Sequence, residues 1–303
     1  MSDGGQRSFA PCARGGLRLV ATDLDGTLLD SHKQVSPRSR AAIARLAERH
    51  IPLIVATGRP LRWLPPVWQQ LPVSPLCICM NGALIYDAFR HKILRRTLLQ
   101  SAELTDIVQS IHRALPEACF AVERSGADTQ SQGDGHLPGE FLIAENAEEV
   151  WYEQNAPRTT LAALSEEPAA KLLVRCTELS SAEMAEIVRP LVDPVAHVTY
   201  SIDSGLLEIS HPLATKGEAL AYLLDCWDVP EEAVVAFGNM PNDMDMLQLS
   251  TWGVAVENAH HAVLAAADEV TASNDDDGVA LVMERLLALS LIHISEPTRP
   301  LYI

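Results

Sequence analysis

The sequence predicts an α/β fold, with a doubly wound, Rossmann-like parallel-sheet core and an inserted α+β domain. From Leu17 onward, short apolar stretches alternate with helical patterns, as in successive βαβ units. Between about residues 85 and 210 the pattern changes to closely paired short strands. That change indicates an insertion whose sheet is largely antiparallel.

The composition fits a globular protein and excludes some classes of partner. The chain has 303 residues, 48% of them hydrophobic, which is enough for one large or two modest domains. A formal net charge of −17 argues against nucleic acid, which binds through clustered Lys and Arg side chains, but does not exclude a small phosphorylated substrate. No apolar run reaches the roughly 18 residues that cross a bilayer, so we expect no membrane partner.

The N-terminal segment and the cysteines indicate a cytoplasmic protein. Residues 1–16 lack the apolar segment of a secretory signal, and we interpret them as a disordered tail. The cysteines form no CxxC pair and have no histidines nearby at zinc spacing, which favours reduced, mostly buried thiols. They are Cys12, Cys77, Cys79, Cys119, Cys176 and Cys226.

A pair of carboxylates follows the first apolar stretch. Asp23 and Asp25 come directly after the predicted strand 17–22, and Gly26 then allows a tight turn. If the strand continued, its period of two would aim both carboxylates to the same side. One could then attack phosphorus while the other handles the leaving group's proton, and both could help to hold Mg²⁺. Taken alone, the same string also fits a calcium-like loop or a plain solvated turn.

Three later segments place polar residues after apolar runs. Thr57, Gly58 and Arg59 follow one such run, although a Thr-Gly pair there is more often a turn without chemistry. Lys216 opens a predicted helix, where the macrodipole disfavours a cation by about 0.3–1 kcal/mol, so it suggests a nearby anion, although a solvated lysine is the alternative. The fourth segment, 234–247, runs from a strand through a glycine to amide and acidic residues that open a helix.

These four segments, in this order, resemble the motifs of the haloacid dehalogenase-like phosphatases. The string Asp23-Leu24-Asp25-Gly26-Thr27-Leu28 is similar to the family signature, and the resemblance extends from about Leu17 to Ala288. Residues 79–83 and 273–280 resemble the Cof-type branch, subfamily IIB. In that branch the insertion between the second and third motifs is a large cap over the strand ends, so the expected domains are a core of residues 17–84 and 211–288 and a cap of residues 85–210.

The resemblance implies a phosphatase working through an aspartyl-phosphate. Asp23 is then the nucleophile, and Asp25 is the general acid and base, with a pKa raised enough to hold a proton. Thr57 would donate its hydroxyl to the phosphate, and Lys216 would neutralise Asp23 and the transferring group. Contacts to the phosphate are further implied for Gly58, Arg59 and Asn242.

The resemblance also implies Mg²⁺, held by Asp23, Asp25, Asn239 and Asp243. Asp25 would contribute through its backbone carbonyl. The chain departs from the family at Asn239, where the fourth motif usually has an Asp that binds the metal. Three arrangements stay open: Asn239 is a weak neutral ligand, Asp243 replaces it directly, or Asp243 supports it from behind, and we favour Asn239 as ligand with Asp243 in support.

The substrate and two rival functions stay open at this level. Sugar phosphates, pyridoxal phosphate and flavin-pathway phosphates all fit as the small phosphorylated metabolite, and the oligomeric state is unknown. A phosphomutase or a dedicated sugar-phosphate phosphatase would carry the same motifs. A catalytically decayed binding protein is supported only by Asn239.

Two segments are set apart from these expectations. Residues 124–140, rich in Gly, Ser, Asp and Gln, fit either a flexible loop or a cap segment that touches substrate. Residues 289–303 resemble the translation of a sequencing adapter, and we interpret them as non-native, the alternative being a native apolar tail.

Overall fold

The computed structural model describes residues 16–125, 140–145, 151, 156–200 and 204–294, with side chains up to residue 289. The predicted N-terminal tail, apart from Gly16, lies outside the described residues, as does most of the segment 124–140. Residues 289–294 continue the last helix without a break, and the rest of the predicted non-native tail lies outside the described range.

Short strands alternate with helices along most of the described chain. In chain order the strands are β1 (Leu19–Thr22), β2 (Leu53–Ala56), β3 (Leu76–Cys79), β4 (Leu84–Asp87), β5 (Lys92–Arg96), β6 (Cys119–Glu123), β7 (Phe141–Ala144), β8 (Arg158–Thr159), β9 (Lys171–Arg175), β10 (His197–Thr199), β11 (Leu206–Ser210), β12 (Val234–Gly238), β13 (Trp252–Val256) and β14 (Glu269–Thr271).

The helices begin close to polar caps or prolines. They are α1 (Pro37–Glu48), α2 (Pro65–Trp68), α3 (Ser101–Ala114), α4 (Leu161–Leu164), α5 (Ser181–Val192), α6 (Lys216–Trp227), α7 (Met244–Leu249), α8 (His261–Ala266) and α9 (Gly278–Ile294). Ser36 shows the pattern: its hydroxyl accepts the Ser39 amide and Pro37 takes the first helical position. No helix within the described residues has both the length and the apolar character needed to cross a membrane.

The larger sheet confirms the doubly wound α/β core. Among the described residues its order is β14-β13-β12-β1-β2-β3-β4-β5, parallel from β14 to β3. Apolar side chains cover both faces, with α1 and α9 on one and α6, α7 and α8 on the other. Strand β1 lies between β2 and β12, so the segments after these three strands meet at one edge.

The first boundary of the predicted cap is wrong. The prediction places β4 and β5 in the insertion, but both extend the core sheet, because β4 pairs antiparallel with β3 and β5 pairs antiparallel with β4. All four residues of β4 are buried, because the strand lies between two neighbours and under the core helices. The inserted domain therefore begins near residue 97, after β5 ends.

The inserted domain has a second sheet, as predicted, with the order β10-β11-β9-β6-β7-β8. All its pairs are antiparallel except β7 with β8. One face packs on α3 and α5 through alternate residues such as Phe120, Leu172 and Leu207. The opposite face carries Glu123, Lys171 and Glu208, which contact the core domain.

The described cysteines agree with the prediction of reduced thiols. Cys77, Cys79, Cys119, Cys176 and Cys226 are free, and three of them are buried. Burial raises the pKa of the Cys77 thiol to about 12 and that of Cys79 as well, so both are protonated packing residues.

Candidate active site

The first carboxylate extends the central strand. Its amide donates to the Phe237 carbonyl at 3.0 Å, so Asp23 continues the alignment of β1 with β12 by one residue. The side chain is buried, with 5% of the residue exposed. Its Oδ1 accepts a hydrogen bond from Lys216 Nζ at 2.7 Å. The predicted nucleophile and the predicted cation are therefore in direct contact.

Lys216 reaches this position from the first turn of α6. The Thr215 hydroxyl caps the helix by accepting the Glu218 amide at 3.2 Å. A Cβ on Gly217 would lie 2.8 Å from the Asp245 backbone carbon, so α6 packs tightly on α7. The Lys216 ammonium, 1% exposed, bridges Asp23 and Asp243, the latter at 2.6 Å. Two carboxylates thus provide the anions that a lysine at a helix start requires.

Burial and neighbouring charges shift the pKa values of Asp23 and Lys216. Burial raises the pKa of Asp23 to about 7; Lys216 opposes the shift and Asp243 adds to it. Burial alone would lower the pKa of Lys216, but Asp23 and Asp243 outweigh it and raise the pKa. The lysine therefore stays charged, and burial makes the Asp23 carboxylate harder to ionise than an exposed one.

The expected raised pKa of Asp25 is wrong for this structure. Its carboxylate forms a two-point ion pair with Arg59, with Nε and Nη2 each 2.6 Å from a carboxylate oxygen. Lys33 adds a third bond at 2.9 Å. Partial burial raises the pKa, but the bonds from Arg59 and Lys33 outweigh it and lower the pKa below the usual value.

The second segment forms a loop beside the first. Thr57 is buried, and its hydroxyl oxygen accepts the Arg59 amide at 3.1 Å, which leaves the hydroxyl proton available to donate. Gly58 lies against Asn81, because a Cβ there would come within 3.0 Å of Asn81 Oδ1. The Arg59 side chain forms an ion pair with Asp25 and does not point into open space.

Asp243 holds the fourth segment in place. One oxygen accepts from Lys216, and the other accepts the Asn239 and Met240 amides, both at 2.9 Å. A Cβ on Gly238 would lie 2.5 Å from Asp243 Cβ, so the turn is built around this side chain. Since both oxygens are engaged, the geometry favours a supporting role over direct metal binding.

The oxygen atoms here fit Mg²⁺ better than a softer ion. The Asn239 side chain lies against the turn after Asp25, since a Cβ on Gly26 would fall 2.6 Å from Asn239 Nδ2. Carboxylate, carbonyl and amide oxygens, such as those of Asp23, Asp25 and Asn239, are the ligands that hard cations take. Within the described residues, no group of three or more His, Cys, Asp or Glu side chains has metal-binding geometry.

Asn242 lies one step away from these groups. Its amide donates to Asn81 Oδ1 at 3.0 Å, and Asn81 in turn donates to Glu208 at 2.8 Å. The structure therefore brings Asp23, Lys216, Asp243 and Asn239 together, places Asp25 with Arg59 beside them, and connects Asn242 to the inserted domain instead.

Sequence reasoning missed the residues that the inserted domain contributes. Lys171 bonds to the Gly58 carbonyl at 3.0 Å and to Glu208 at 2.6 Å, and Arg62 pairs with Glu123 at 2.5 Å. A signal was present, because Glu208 and Lys171 are charged residues within short, mostly apolar strands. Such residues are rarely buried without a partner.

Comparisons with known proteins agree with this geometry. The profile of the haloacid dehalogenase-like hydrolases matches residues 20–283. A Haemophilus influenzae protein named as a phosphatase, with no substrate in its name, is 31% identical over 271 residues, covering 88% of this chain and 97% of that protein. Pyridoxal phosphate phosphatase YbhA of Escherichia coli is 28% identical over 272 residues, covering 87% of this chain and 96% of that protein.

A solved structure gives the same fold. A subclass IIB sugar phosphatase of this superfamily superposes with a TM-score of 0.73 at 19% identity, covering 88% of this chain and 98% of that one. The four motifs, the two sheets and the relatives all indicate the same family. The chain belongs to the haloacid dehalogenase-like hydrolase family, in its Cof-type branch, and its named relatives are phosphatases.

Proposed function

We propose that this protein is a Mg²⁺-dependent phosphatase that hydrolyses small phosphorylated metabolites through an aspartyl-phosphate. One observation carries the proposal: the buried Asp23 carboxylate, at the end of the central strand, is held 2.7 Å from the Lys216 ammonium. A fixed cation beside a nucleophilic carboxylate supplies the charge neutralisation that phosphoryl transfer needs.

The proposed reaction has two steps. An Asp23 oxygen forms a bond to phosphorus as the bond to the leaving oxygen breaks, and Asp25 gives its proton to that oxygen. Water then attacks phosphorus, Asp25 takes a proton from it, and the bond to Asp23 breaks to release inorganic phosphate. Thr57 donates its hydroxyl proton to a phosphate oxygen throughout, and Lys216 offsets the negative charge.

In this scheme, the hydrogen bonds from Arg59 and Lys33 to the Asp25 carboxylate must break. Their bonds lower the Asp25 pKa, so the carboxyl holds a proton only when these contacts are lost. A phosphate dianion entering the site competes for both cations. We therefore propose that substrate binding itself frees Asp25 to be protonated.

The metal would be held by Asp23, Asn239 and the Asp25 carbonyl, with Asp243 in support. When bound, Mg²⁺ supplies positive charge that offsets the phosphate and the Asp23 carboxylate. Because Asn239 is neutral, the protein has one fewer negative ligand than the family pattern. We propose that metal binding is correspondingly weaker and not absent.

A small substrate fits the covered position of the site. Asp23 is 5% exposed, and the inserted domain contacts the core loop at Gly58. A relative is named for pyridoxal phosphate, and sugar phosphates and flavin-pathway phosphates remain in the proposed class. The free cysteines support our proposal that the protein acts in the cytoplasm.

A panel of phosphorylated metabolites tests the proposal. Wild type with Mg²⁺ is expected to release phosphate from at least one of them, and Asp23→Asn from none, because the amide cannot form the acyl phosphate. Asp87→Asn, a buried carboxylate outside the site, is the matched control and should keep its activity. Turnover by folded Asp23→Asn would reject the covalent mechanism.

A further inference from the structure

The backbone of the loop 57–59 is fixed by three hydrogen bonds to consecutive carbonyls. The Thr57 carbonyl accepts the Asn81 amide at 3.0 Å, and the Arg59 carbonyl accepts the Met80 amide at 3.1 Å. The carbonyl between them, of Gly58, accepts Lys171 Nζ at 3.0 Å. Two of these donors belong to the core domain, and the third comes from the inserted domain.

The bond to Gly58 determines where the next amide points. A trans peptide is planar, so its N–H and C=O groups point in opposite directions. Holding the Gly58 carbonyl toward Lys171 therefore aims the Arg59 amide the other way, where it donates to the Thr57 hydroxyl oxygen at 3.1 Å. With that lone pair occupied, the hydroxyl proton is free to turn to a different acceptor.

Lys171 is itself held firmly. It lies at the start of β9, it is 4% exposed, and Glu208 on the neighbouring strand β11 bonds to it at 2.6 Å. The same Glu208 oxygen accepts from Asn81 at 2.8 Å. Asn81 has φ of 57°, a left-handed conformation that Asn tolerates better than most residues. The network thus joins both domains beside the loop.

We propose that Lys171 is a positioning residue for phosphate binding: by holding the Gly58–Arg59 peptide, it orients the Thr57 hydroxyl. This inference rests on the proposed function of Thr57 as a phosphate donor. Because Lys171 belongs to the inserted domain, that domain supplies one of the three hydrogen bonds that fix the phosphate loop.

The variant that tests this must remove the bond without leaving a buried charge. Lys171→Met alone would leave Glu208 buried without its cation and would destabilise the cap. In the double variant Lys171→Met, Glu208→Gln both charges are gone, and the new amide can still accept from Asn81. We expect a loss of about 10- to 100-fold in kcat, the scale for a misplaced catalytic group.

Binding of inorganic phosphate separates this inference from the proposed function. Phosphate raises the melting temperature of a protein that binds it, with no turnover required. We expect the apparent phosphate Kd of the double variant to rise about tenfold or more over wild type, since a preorganised donor is lost. If the wild-type protein binds phosphate but hydrolyses no monoester, the proposed phosphatase function is rejected. The role of Lys171 is then decided by the difference in phosphate Kd between the wild type and the double variant.

A second interdomain pair provides the control. Arg62 and Glu123 form an ion pair of similar burial between core and cap, and its two hydrogen bonds join these side chains to each other. In Arg62→Met, Glu123→Gln the phosphate Kd should stay within about twofold of wild type, since only docking is weakened. Equal losses in both double variants, an unchanged Kd in the Lys171 variant, or no phosphate binding by wild type would each overturn the inference.

Discussion

Gly26 and Asn239 lie in contact across the catalytic turn: a Cβ on Gly26 would fall 2.6 Å from Asn239 Nδ2. The turn after Asp25 and the turn after β12 are therefore packed without room for one methyl group. Gly26 also has φ of +75°, which L residues rarely adopt.

Gly26→Ala should accordingly impair both folding and activity. The left-handed conformation alone costs an alanine about 1–2 kcal/mol, and the displaced Asn239 adds to it. Gly16→Ala is a matched control, because Gly16 has φ of +73° with nothing within 4 Å. We expect urea unfolding to show a larger loss for Gly26→Ala, with a fall in kcat unique to it. Equal losses would show that the contact is unimportant.

The metal requirement should respond in opposite directions to two substitutions. Asn239→Asp adds a carboxylate to the proposed ligand set, so the half-saturating Mg²⁺ concentration should fall. Asp243→Asn removes charge and disturbs the Asn239 and Met240 amides, so the requirement should rise. Activity titrated against Mg²⁺ tests both. An unchanged requirement in the two variants would place the metal elsewhere.

Lys216→Met should destabilise the protein as well as inactivate it. The change leaves Asp23 and Asp243 buried without their cation, which costs about 3–5 kcal/mol. Lys216→Met, Asp243→Asn should recover part of the unfolding free energy but none of the kcat, since one excess charge is gone and the catalytic cation is still missing. Lys92→Met, at an exposed lysine, serves as the control for both measurements.

Asp87 should make stability depend on pH in the acid range. Some burial raises its pKa, but the Arg90 amide and side chain and the Phe89 amide outweigh it and lower the pKa below 3.8. A lowered pKa stabilises the fold above pH 3.8 and loses that effect as the pH falls through the folded value. Asp87→Asn should cost about 1 kcal/mol at pH 7, with the difference from wild type shrinking below pH 3.8.

Chemical denaturation of both proteins from pH 7 to pH 2.5 would measure this. Asp106→Asn, at an exposed aspartate in α3, is the comparison for a general charge effect. A constant difference between wild type and Asp87→Asn at every pH would contradict the assignment.

Removing the cap tests the corrected boundary. A linker replacing residues 98–210 leaves β4 and β5 in place, so the core should still unfold cooperatively while losing substrate discrimination. A linker replacing residues 85–210 also deletes two strands of the core sheet and should fail to fold. Circular dichroism melts would show the difference. If the shorter core kept the parent's substrate ranking, specificity would reside in the core loops.

The residues of the candidate site were predictable because each depends on a local pattern. Asp23, Thr57 and Asn239 follow short apolar strands, and parallel strands bring such ends to one edge. Lys216 was predictable from its unfavourable place at a helix start. The sequence analysis did not predict helix α5, although Ser180 and Glu183 form a capping box, a pattern typical of the first turn of a helix.

Other features depend on partners distant in sequence. An antiparallel hairpin looks the same whether it extends one sheet or starts another, so the membership of β4 and β5 could not be read locally. Arg59 reaches Asp25 from 34 residues away, and together with Lys33 it reverses the expected shift in the Asp25 pKa. The hydrophobic periodicity of the sequence carries no information about such long-range contacts.

The pairing of β1 with β12 has a consequence for synthesis on the ribosome. Leu19 aligns with Val234, so β1 can pair with β12 only after more than two hundred further residues have been synthesised. The inserted domain has its own apolar core and is complete by about Ser210, so it can fold while the nascent chain is still growing. Asp23 can therefore meet Lys216 and Asp243 only after the whole inserted domain has been synthesised.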